Sequence, residues 1–390
     1  MKIDPAHYEG RGPALVKHTF ILSYLPTLIA KVASAYDEFV YIDLFAGPWE
    51  ERSTDCSDTA FGIALNAMRG AKAVWKANGR PVKMTAHLVD INADAIEKQK
   101  QVAQRYLDIT VYHHRGKAEE KIQTILAGMP RNAFCFIYID PKGVPDIRKF
   151  ADAIRRPNSE VFLNFMYKFA TRFAHTPQMP TLEWLTVGSE GEAFQQGLSG
   201  LSGSTREKAL TDRARSVLAD MGKYRYSPAI TVDEEAVDRC RYKLIFLSRH
   251  DKGIRVFRDA QRAALQMQAF NRTSQKSAKK ARQTGMEDMF QLLEPVDPRE
   301  RSAREISDGV AAGIAYAIQL IDERGDQGIL WKDLWPRVLE EKVITYSDLG
   351  DGVRNLMQDD RVSIPSWGPR KRKPDDEYRL ISNAQTKGAC

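Results

Sequence analysis

Five short apolar runs, each bounded by turns and separated by helical stretches, constrain the fold of this chain more than any other feature. Glu38–Leu44 is a short apolar run ending in an acid and reads as a buried parallel strand, and Met84–Val89, Ile109–His113, Ala133–Ile139 and Glu160–Phe165 read as further strands. Helical periodicity occupies His18–Tyr36, Thr59–Met68, Ala93–Tyr106, Lys117–Ala127 and Asp146–Ile154. Pro26 is expected to kink or split the first of these. Such alternation predicts an α/β fold, doubly wound around a mostly parallel sheet. Right-handed crossovers then bring the strand ends, and any ligand, to one rim. Two later runs, Ala229–Val232 and Tyr242–Leu247, flank the turn DEEAVD and predict an antiparallel pair at one sheet edge.

A chain of 390 residues is too long for one core. Residues 1–16 read as a loose lead-in and 17–260 as the Rossmann-like domain. Within it, about 171–225 form a polar helical insertion with a loop at GLSGLSGS. Residues 261–300 combine a basic helical stretch, QKSAKKARQ, with the linker PVDPRERS. Residues 301–390 offer a strong helix, two helix-like segments and a hairpin with a basic tip, which together predict a small winged-helix-like domain. There is no internal repeat.

Composition narrows the class. Hydrophobic residues at 43% and charged residues at 28% suit a globular protein. No apolar run approaches the roughly 18 residues that span a bilayer, and the opening MKIDPAHYEGRG has no apolar signal core. A cytoplasmic protein is expected. Cys56, Cys135, Cys240 and Cys390 are far apart and unpaired in sequence, which argues against a zinc ribbon, an iron–sulfur cluster or a disulfide scaffold. Cys135, within AFCFIYI, reads as a buried hydrophobe. A net charge of +7 favours a polyanionic partner. Candidate phosphate contacts are Lys279, Lys280 and Arg282 in the basic helix and Arg370, Lys371, Arg372 and Lys373 at the hairpin tip, which read equally as solvated faces.

Three strand ends carry chemistry. The first is Asp43-Leu-Phe45-Ala-Gly47-Pro48, where an acid and a glycine close to a ligand suit a nucleotide-type cofactor. This turn resembles the D-x-F-x-G-x-G loop of class I methyltransferases, which bind S-adenosylmethionine, except that Trp49 replaces the second glycine. The second is Asp90, placed to accept two ribose hydroxyls. It follows Gly47 at more than the about 20 residues usual in dinucleotide folds, a spacing assigned to an extended loop at Arg69–Pro81. The third is Asp140-Pro141-Lys142-Gly143, which resembles the D-P-P-Y loop of enzymes that methylate base amino groups. There a carboxylate and a proline carbonyl accept hydrogen bonds from the target amine and orient its lone pair. Lys142 and Gly143 replace the second proline and the aromatic, so a base-stacking ring would come from Tyr138, Phe165 or Tyr167. Lys117 and Ala118 fall where adenine contacts would lie.

Plainer readings stand beside these. Asp43 and Asp90 can be helix N-caps, and Asp140-Pro141 a simple turn. The pair His113-His114 reads as a strand end rather than a metal site, and His250-Asp251 as a turn. No metal is expected.

The segments KHTFILSYL, YIDLFAGP, the IDP-x-G loop and YKLIFLSRHDKGIRVFRDA together resemble the three-Cys-motif partner proteins, over roughly residues 14–290. These are bacterial or phage-associated and methyltransferase-like, and are named for a neighbouring radical-SAM-like protein that bears three cysteines. The resemblance implies a SAM-type fold and a protein partner. Two functions are carried forward. One is methyl transfer from S-adenosylmethionine to nucleic acid, with Asp43, Phe45, Gly47 and Asp90 on the cofactor and Asp140 and Pro141 on the acceptor amine. The other is a non-catalytic partner that retains the fold.

Overall fold

A computed structural model of the chain describes residues 3–48, 51–143, 145–167, 180–186, 189–198, 200–234, 239–284, 298–365, 367, 371 and 373–383. Two units divide at His250/Asp251, ten residues before the sequence-based boundary at 260.

In the first unit, β1 (Glu38–Asp43), β2 (Lys83–Asp90), β3 (Thr110–Arg115), β4 (Phe134–Ile139), β5 (Ser159–Phe165), β6 (Ala229–Asp233) and β7 (Cys240–Leu247) form one sheet. Its order is β3-β2-β1-β4-β5-β7-β6. The first five strands are parallel, and β7 runs antiparallel to both β5 and β6. This is the seven-stranded Rossmann-like sheet of the methyltransferase type that the sequence predicts. Every residue of β4 and β5 is buried, which accounts for their unbroken apolar runs. Successive strands are added outward on one side of β1 and then, from β4, on the other, so the C-terminal rim between β1 and β4 opens a crevice.

Helix α1 differs from its sequence reading. It spans Gly12–Val32, beginning inside the expected lead-in with Pro13 in its first turn. Pro26 lies on the exposed side, and the helix runs through it unbroken. On the inner side Phe20 stacks on Phe162 of β5 at 4.9 Å and 1°, and Tyr24 meets Phe246 of β7 edge-on at 5.2 Å. The lead-in is ordered too: Tyr8 is buried, and Arg11 pairs with buried Asp58 at 2.8 Å.

Helix α2 (Ala60–Ala77) continues through most of Arg69–Pro81, so the long Gly47–Asp90 spacing is helix rather than loop. Its N-cap is Thr59, whose hydroxyl oxygen accepts the Gly62 amide at 3.1 Å. Gly62 is required there, since a Cβ would lie 1.9 Å from the Cys56 carbonyl oxygen. Helices α3 (Ala93–Ala103), α4 (Ala118–Gly128) and α5 (Ala151–Arg155) complete the crossovers, a 3-10 turn at Ile147–Phe150 preceding the last. The described part of the insertion is helical: a 3-10 turn at Pro180–Leu185, then α6 (Ser189–Leu198) and α7 (Gly203–Gly222), with Leu210, Ala214 and Leu218 joining the sheet core; 171–179, 187–188 and 199 lie outside the described residues.

The second unit holds α8 (Asp251–Thr284), α9 (Pro298–Asp322), β8 (Ile329–Leu330), α10 (Trp331–Glu341), α11 (Tyr346–Gln358), β9 (Val362–Ser363) and β10 (Arg379–Ser382). Helix α9 starts within the expected linker. The three short strands form an antiparallel sheet in the order β8-β10-β9 around a core that includes Trp331, Leu334, Val338, Leu349 and Val353. No described helix of either unit is long and apolar enough to cross a membrane.

Two outcomes follow from α1. Phe20→Ala is expected to cost about 3–5 kcal/mol in urea unfolding, the usual loss for a buried phenylalanine. Glu160, beneath α1, is buried and accepts from Tyr24 Oη at 2.6 Å and Ser248 Oγ at 2.8 Å. Burial pushes its carboxyl from 4.5 up to about 7. The folded chain then holds this proton where the unfolded chain releases it, so stability falls as pH rises from about 4.5 to 7. Glu160→Gln is expected to remove about 3 kcal/mol of that fall, seen by comparing unfolding at pH 5 and pH 8.

Candidate active site

The first candidate turn is held from three sides. The Leu44 amide donates to the Tyr138 carbonyl of β4 at 3.1 Å, and the Ala46 amide to the Val89 carbonyl of β2 at 2.8 Å. Gln99, buried on α3, donates from Nε2 to the Ala46 carbonyl at 3.0 Å. Within this frame Asp43 is 1% exposed. Its Oδ1 accepts the Phe45 amide and its Oδ2 the Tyr41 hydroxyl, both at 3.1 Å. Burial pushes its carboxyl up to about 7; the Phe45 amide opposes the shift and the Asp140 charge adds to it. Asp90, also buried, accepts the Asn92 amide at 2.7 Å. Neither acid is a helix N-cap: Thr59 caps α2 and Asn92 caps α3.

Asp140, just past β4, is the most heavily partnered of the three. Its Oδ2 accepts from Lys17 Nζ of α1 and, at 3.0 Å, from Tyr138 Oη. Its Oδ1 accepts from Asn164 Nδ2 of β5 at 2.6 Å. Lys17 and Asp140 are 12% and 17% exposed, so this ion pair is shielded from water. The Asn164 amide must present nitrogen to the carboxylate, since its oxygen there would be repelled. That leaves Asn164 Oδ1 buried with no partner among the described residues. The Pro141 carbonyl accepts the Gly143 amide at 3.1 Å, filling one of its two lone pairs.

The expected residues meet around adjoining cavities. One, of about 290 Å³, is lined by Lys17, Asp43, Phe45, Gly47, Asp140 and Asn164 among others. A second, of about 330 Å³, takes Phe45, Asp90, Lys117, Ala118 and Pro141. A third, of about 320 Å³, takes Gly47, Pro48, Asp90 and Asn92. Phe45 and Pro141 line the first two, Gly47 the first and third, and Asp90 the second and third. Asp43 and Asp140 thus share one cavity, while Asp90 faces its neighbours. Gly116 turns the chain into this wall at φ +143°, after which exposed Lys117 and buried Ala118 open α4. Trp49 lies outside the described residues.

Other expectations fare differently. Phe165 packs into the core against Trp184 at 6.0 Å and cannot stack a base. The Tyr138 ring is buried beside Phe162, and only its hydroxyl meets Asp140. Tyr167 packs on the same core cluster as Phe165. Partly exposed Phe45 is the aromatic ring shared by the first two cavities. His114 meets His87 at 3.0 Å and His113 meets Gln99 at 3.2 Å, and no metal-binding cluster occurs among the described residues. The His250 carbonyl accepts from Ser248 Oγ at 3.2 Å, and Asp251 opens α8. Cys56, Cys135 and Cys240 are buried free thiols; burial pushes Cys56 and Cys135 up to about 11, unlike a nucleophile. Cys390 lies outside the described residues.

The basic candidates are dispersed. Lys279, Lys280 and Arg282 lie on the C-terminal turns of α8, with side chains outside those described. At the hairpin tip Lys371 pairs with Asp375 and Lys373 lies 4.9 Å over the Tyr346 ring, while Arg370 and Arg372 fall outside the described residues.

Sequence reasoning gave no site role to Lys17, Tyr41, Gln99 or Asn164. Lys17 is separated from Asp140 by 123 residues and Asn164 by 24, so no local motif joins them. The usable signal was position: Asn164 is polar in the otherwise apolar end of β5.

Comparison with known proteins adds structural likenesses. No family model matches the chain, and no match is found among curated proteins. Among solved structures it is similar to Trm1 from Pyrococcus horikoshii in complex with S-adenosyl-L-methionine, at 13% identity and a TM-score of 0.33, over 65% of this chain and 59% of that one. It is similar to an O-methyltransferase candidate from Klebsiella pneumoniae at 13% identity and a TM-score of 0.31, over 59% of this chain and 80% of that one. Loganic acid methyltransferase with SAH matches at 8% identity and a TM-score of 0.28, over 66% and 84%. The chain therefore spans less than two thirds of the Trm1 chain.

Asp43 should be visible in stability. Its carboxyl titrates near 7 when folded and near 3.8 when unfolded, so folding weakens as pH rises between the two. Asp43→Asn is expected to be the more stable protein at pH 8 by up to about 4 kcal/mol, with little difference at pH 4. Urea unfolding at the two pH values checks this, and equal differences at both would contradict it.

Proposed function

We propose that the first unit transfers a methyl group from S-adenosylmethionine to an amino group, most simply an exocyclic amine of a nucleobase in nucleic acid. The observation that carries this reading is a cluster of hydrogen-bond acceptors with unused capacity beside the cofactor-type turn. An ionised carboxylate offers about four lone-pair positions. Lys17, Tyr138 and Asn164 fill three on Asp140, which leaves one on Oδ1. Asn164 Oδ1 is buried with no partner among the described residues, and the Pro141 carbonyl has a second lone pair. Buried acceptors call for donors, and an amine supplies N–H groups where a carboxylate or ether oxygen does not.

The residues fit the cofactor. Asp43, Phe45 and Gly47 would hold its methionine portion, where the buried Asp43 charge gains from a nearby ammonium. Asp90 would take the ribose, with Lys117, Ala118 and Phe45 along the cavity for the base. Bound S-adenosylmethionine would supply an activated methyl to the amine nitrogen, with a neutral thioether as the leaving group. Asp140 and Pro141 hold the amine hydrogens so that the nitrogen lone pair faces the methyl, and Asp140 takes the proton that the methylated nitrogen sheds. Positioning is the main contribution asked of the protein.

The basic segments with Lys279, Lys280 and Arg282 and with Arg370–Lys373 are assigned to phosphate contact, through a second unit read as winged-helix-like from its helix and strand order. A radical-SAM-like protein partner belongs to the same reading, through the resemblance to three-Cys-motif partner proteins. One observation favours a second reading, a non-catalytic partner: Lys17 already pairs with the residue assigned to the acceptor.

Calorimetry with S-adenosylmethionine and its demethylated product separates the two readings. Micromolar binding supports the enzyme, and absence of binding overturns it. Asp140→Ala is expected to abolish methyl transfer to oligonucleotides while leaving S-adenosylmethionine affinity within about threefold; loss of cofactor binding would remove Asp140 from the acceptor role.

A further inference from the structure

Lys17 does more in this geometry than neutralise Asp140. Its ammonium has three N–H donors. Among the described residues its one hydrogen-bond partner is Asp140 Oδ2, with the Tyr242 ring 6.0 Å away. The cavity that Lys17 lines therefore offers spare Lys17 donors beside a spare acceptor position on Asp140 Oδ1. The anchoring of α1 keeps this arrangement fixed: Tyr242 Oη donates to the Pro13 carbonyl at 2.6 Å, Tyr8 Oη lies 3.0 Å from His18 Nδ1, and Phe20 stacks on Phe162.

We propose that Lys17 is a specificity-determining residue that donates to the unprotonated ring nitrogen next to the target amine, so that the site selects an N=C–NH₂ edge. Adenine and cytosine present that edge, an amine donor beside a ring acceptor. Guanine carries an unprotonated nitrogen beside its amine only at N3, next to the glycosidic bond, and on the Watson–Crick side a protonated nitrogen would face the Lys17 donors; uracil has no amine. The inference rests on the methyl-transfer reading and names the acceptor class of the same cavity. Lys17 has two tasks here, and they can be separated. As a positioning residue it fixes Oδ2 of Asp140, and toward the base it reads one nitrogen atom.

The test is binding of free nucleosides to the full chain saturated with S-adenosylhomocysteine, by calorimetry, so that no turnover is needed. Adenosine and cytidine are compared with guanosine and uridine, and with 1-deazaadenosine and 3-deazacytidine, which keep the amine and lose the ring nitrogen. Wild type is expected to prefer adenosine or cytidine and to lose about tenfold or more in affinity for the matching deaza analogue, as for loss of a charged hydrogen bond. Lys17→Met is expected to bind the parent nucleoside as weakly as wild type binds the analogue, with no further loss for the analogue itself. A purely structural lysine would not abolish that difference. Equal affinity of wild type for parent and deaza nucleoside overturns the inference whatever the variant does, as does preference for guanosine or uridine. Binding of S-adenosylhomocysteine with no nucleoside bound overturns it too, while leaving cofactor binding intact. Failure to bind S-adenosylhomocysteine overturns the methyl-transfer reading itself.

Discussion

The stack of Phe20 on Phe162, with Tyr24 against Phe246 one turn later, is the contact on which the rest of the site depends. These rings bury α1 across β5 and β7, and each fully buried aromatic contributes roughly 1.5–3 kcal/mol by burial alone. A helix fixed at that point projects the residues one turn earlier over the sheet's C-terminal rim. Lys17 is among those residues. The N-terminal segment therefore forms part of the cavity wall, and an ammonium reaches a carboxylate at the end of β4.

Charge at this rim is arranged by burial as much as by pairing. Asp43 and Asp140 line one cavity, yet Lys17 pairs with Asp140, while Asp43 is left to one amide and one hydroxyl. Burial raises the Asp43 carboxyl and the neighbouring Asp140 charge adds to the rise, while the Phe45 amide, the Tyr41 hydroxyl and the Lys17 charge oppose it. The two acids thus differ in environment although both stand at strand ends. One is paired with a cation. The other is ready to gain from any cation that enters.

The sequence made the architecture legible because its signals are local. All seven strands fall where the sequence reading places strands, and the residues Asp43, Phe45, Gly47, Asp90, Lys117, Ala118, Asp140 and Pro141 line adjoining cavities because each sits at or just past a strand end in a doubly wound sheet. Element limits were less legible. Pro26 suggested a break that an exposed proline on a well-buried helix does not impose, and Arg69–Pro81 looked like loop although α2 carries on through it. In both places packing overrode local propensity. Phe165 illustrates the same limit on a side chain, since alternation along β5 turns it to the core, away from the cavity.

What the sequence determined by itself was therefore the order of strands and helices and the acids at their ends, since hydrophobic period and turn residues act over a few neighbours. What only the tertiary structure decided was which groups those acids meet. Lys17 reaches Asp140, Asn164 turns its amide nitrogen to it and leaves its oxygen buried with no partner among the described residues, and Gln99 grips the Ala46 carbonyl. Those contacts join residues on separate elements, and only the packing of α1, α3 and β5 around the rim brings them within bonding distance.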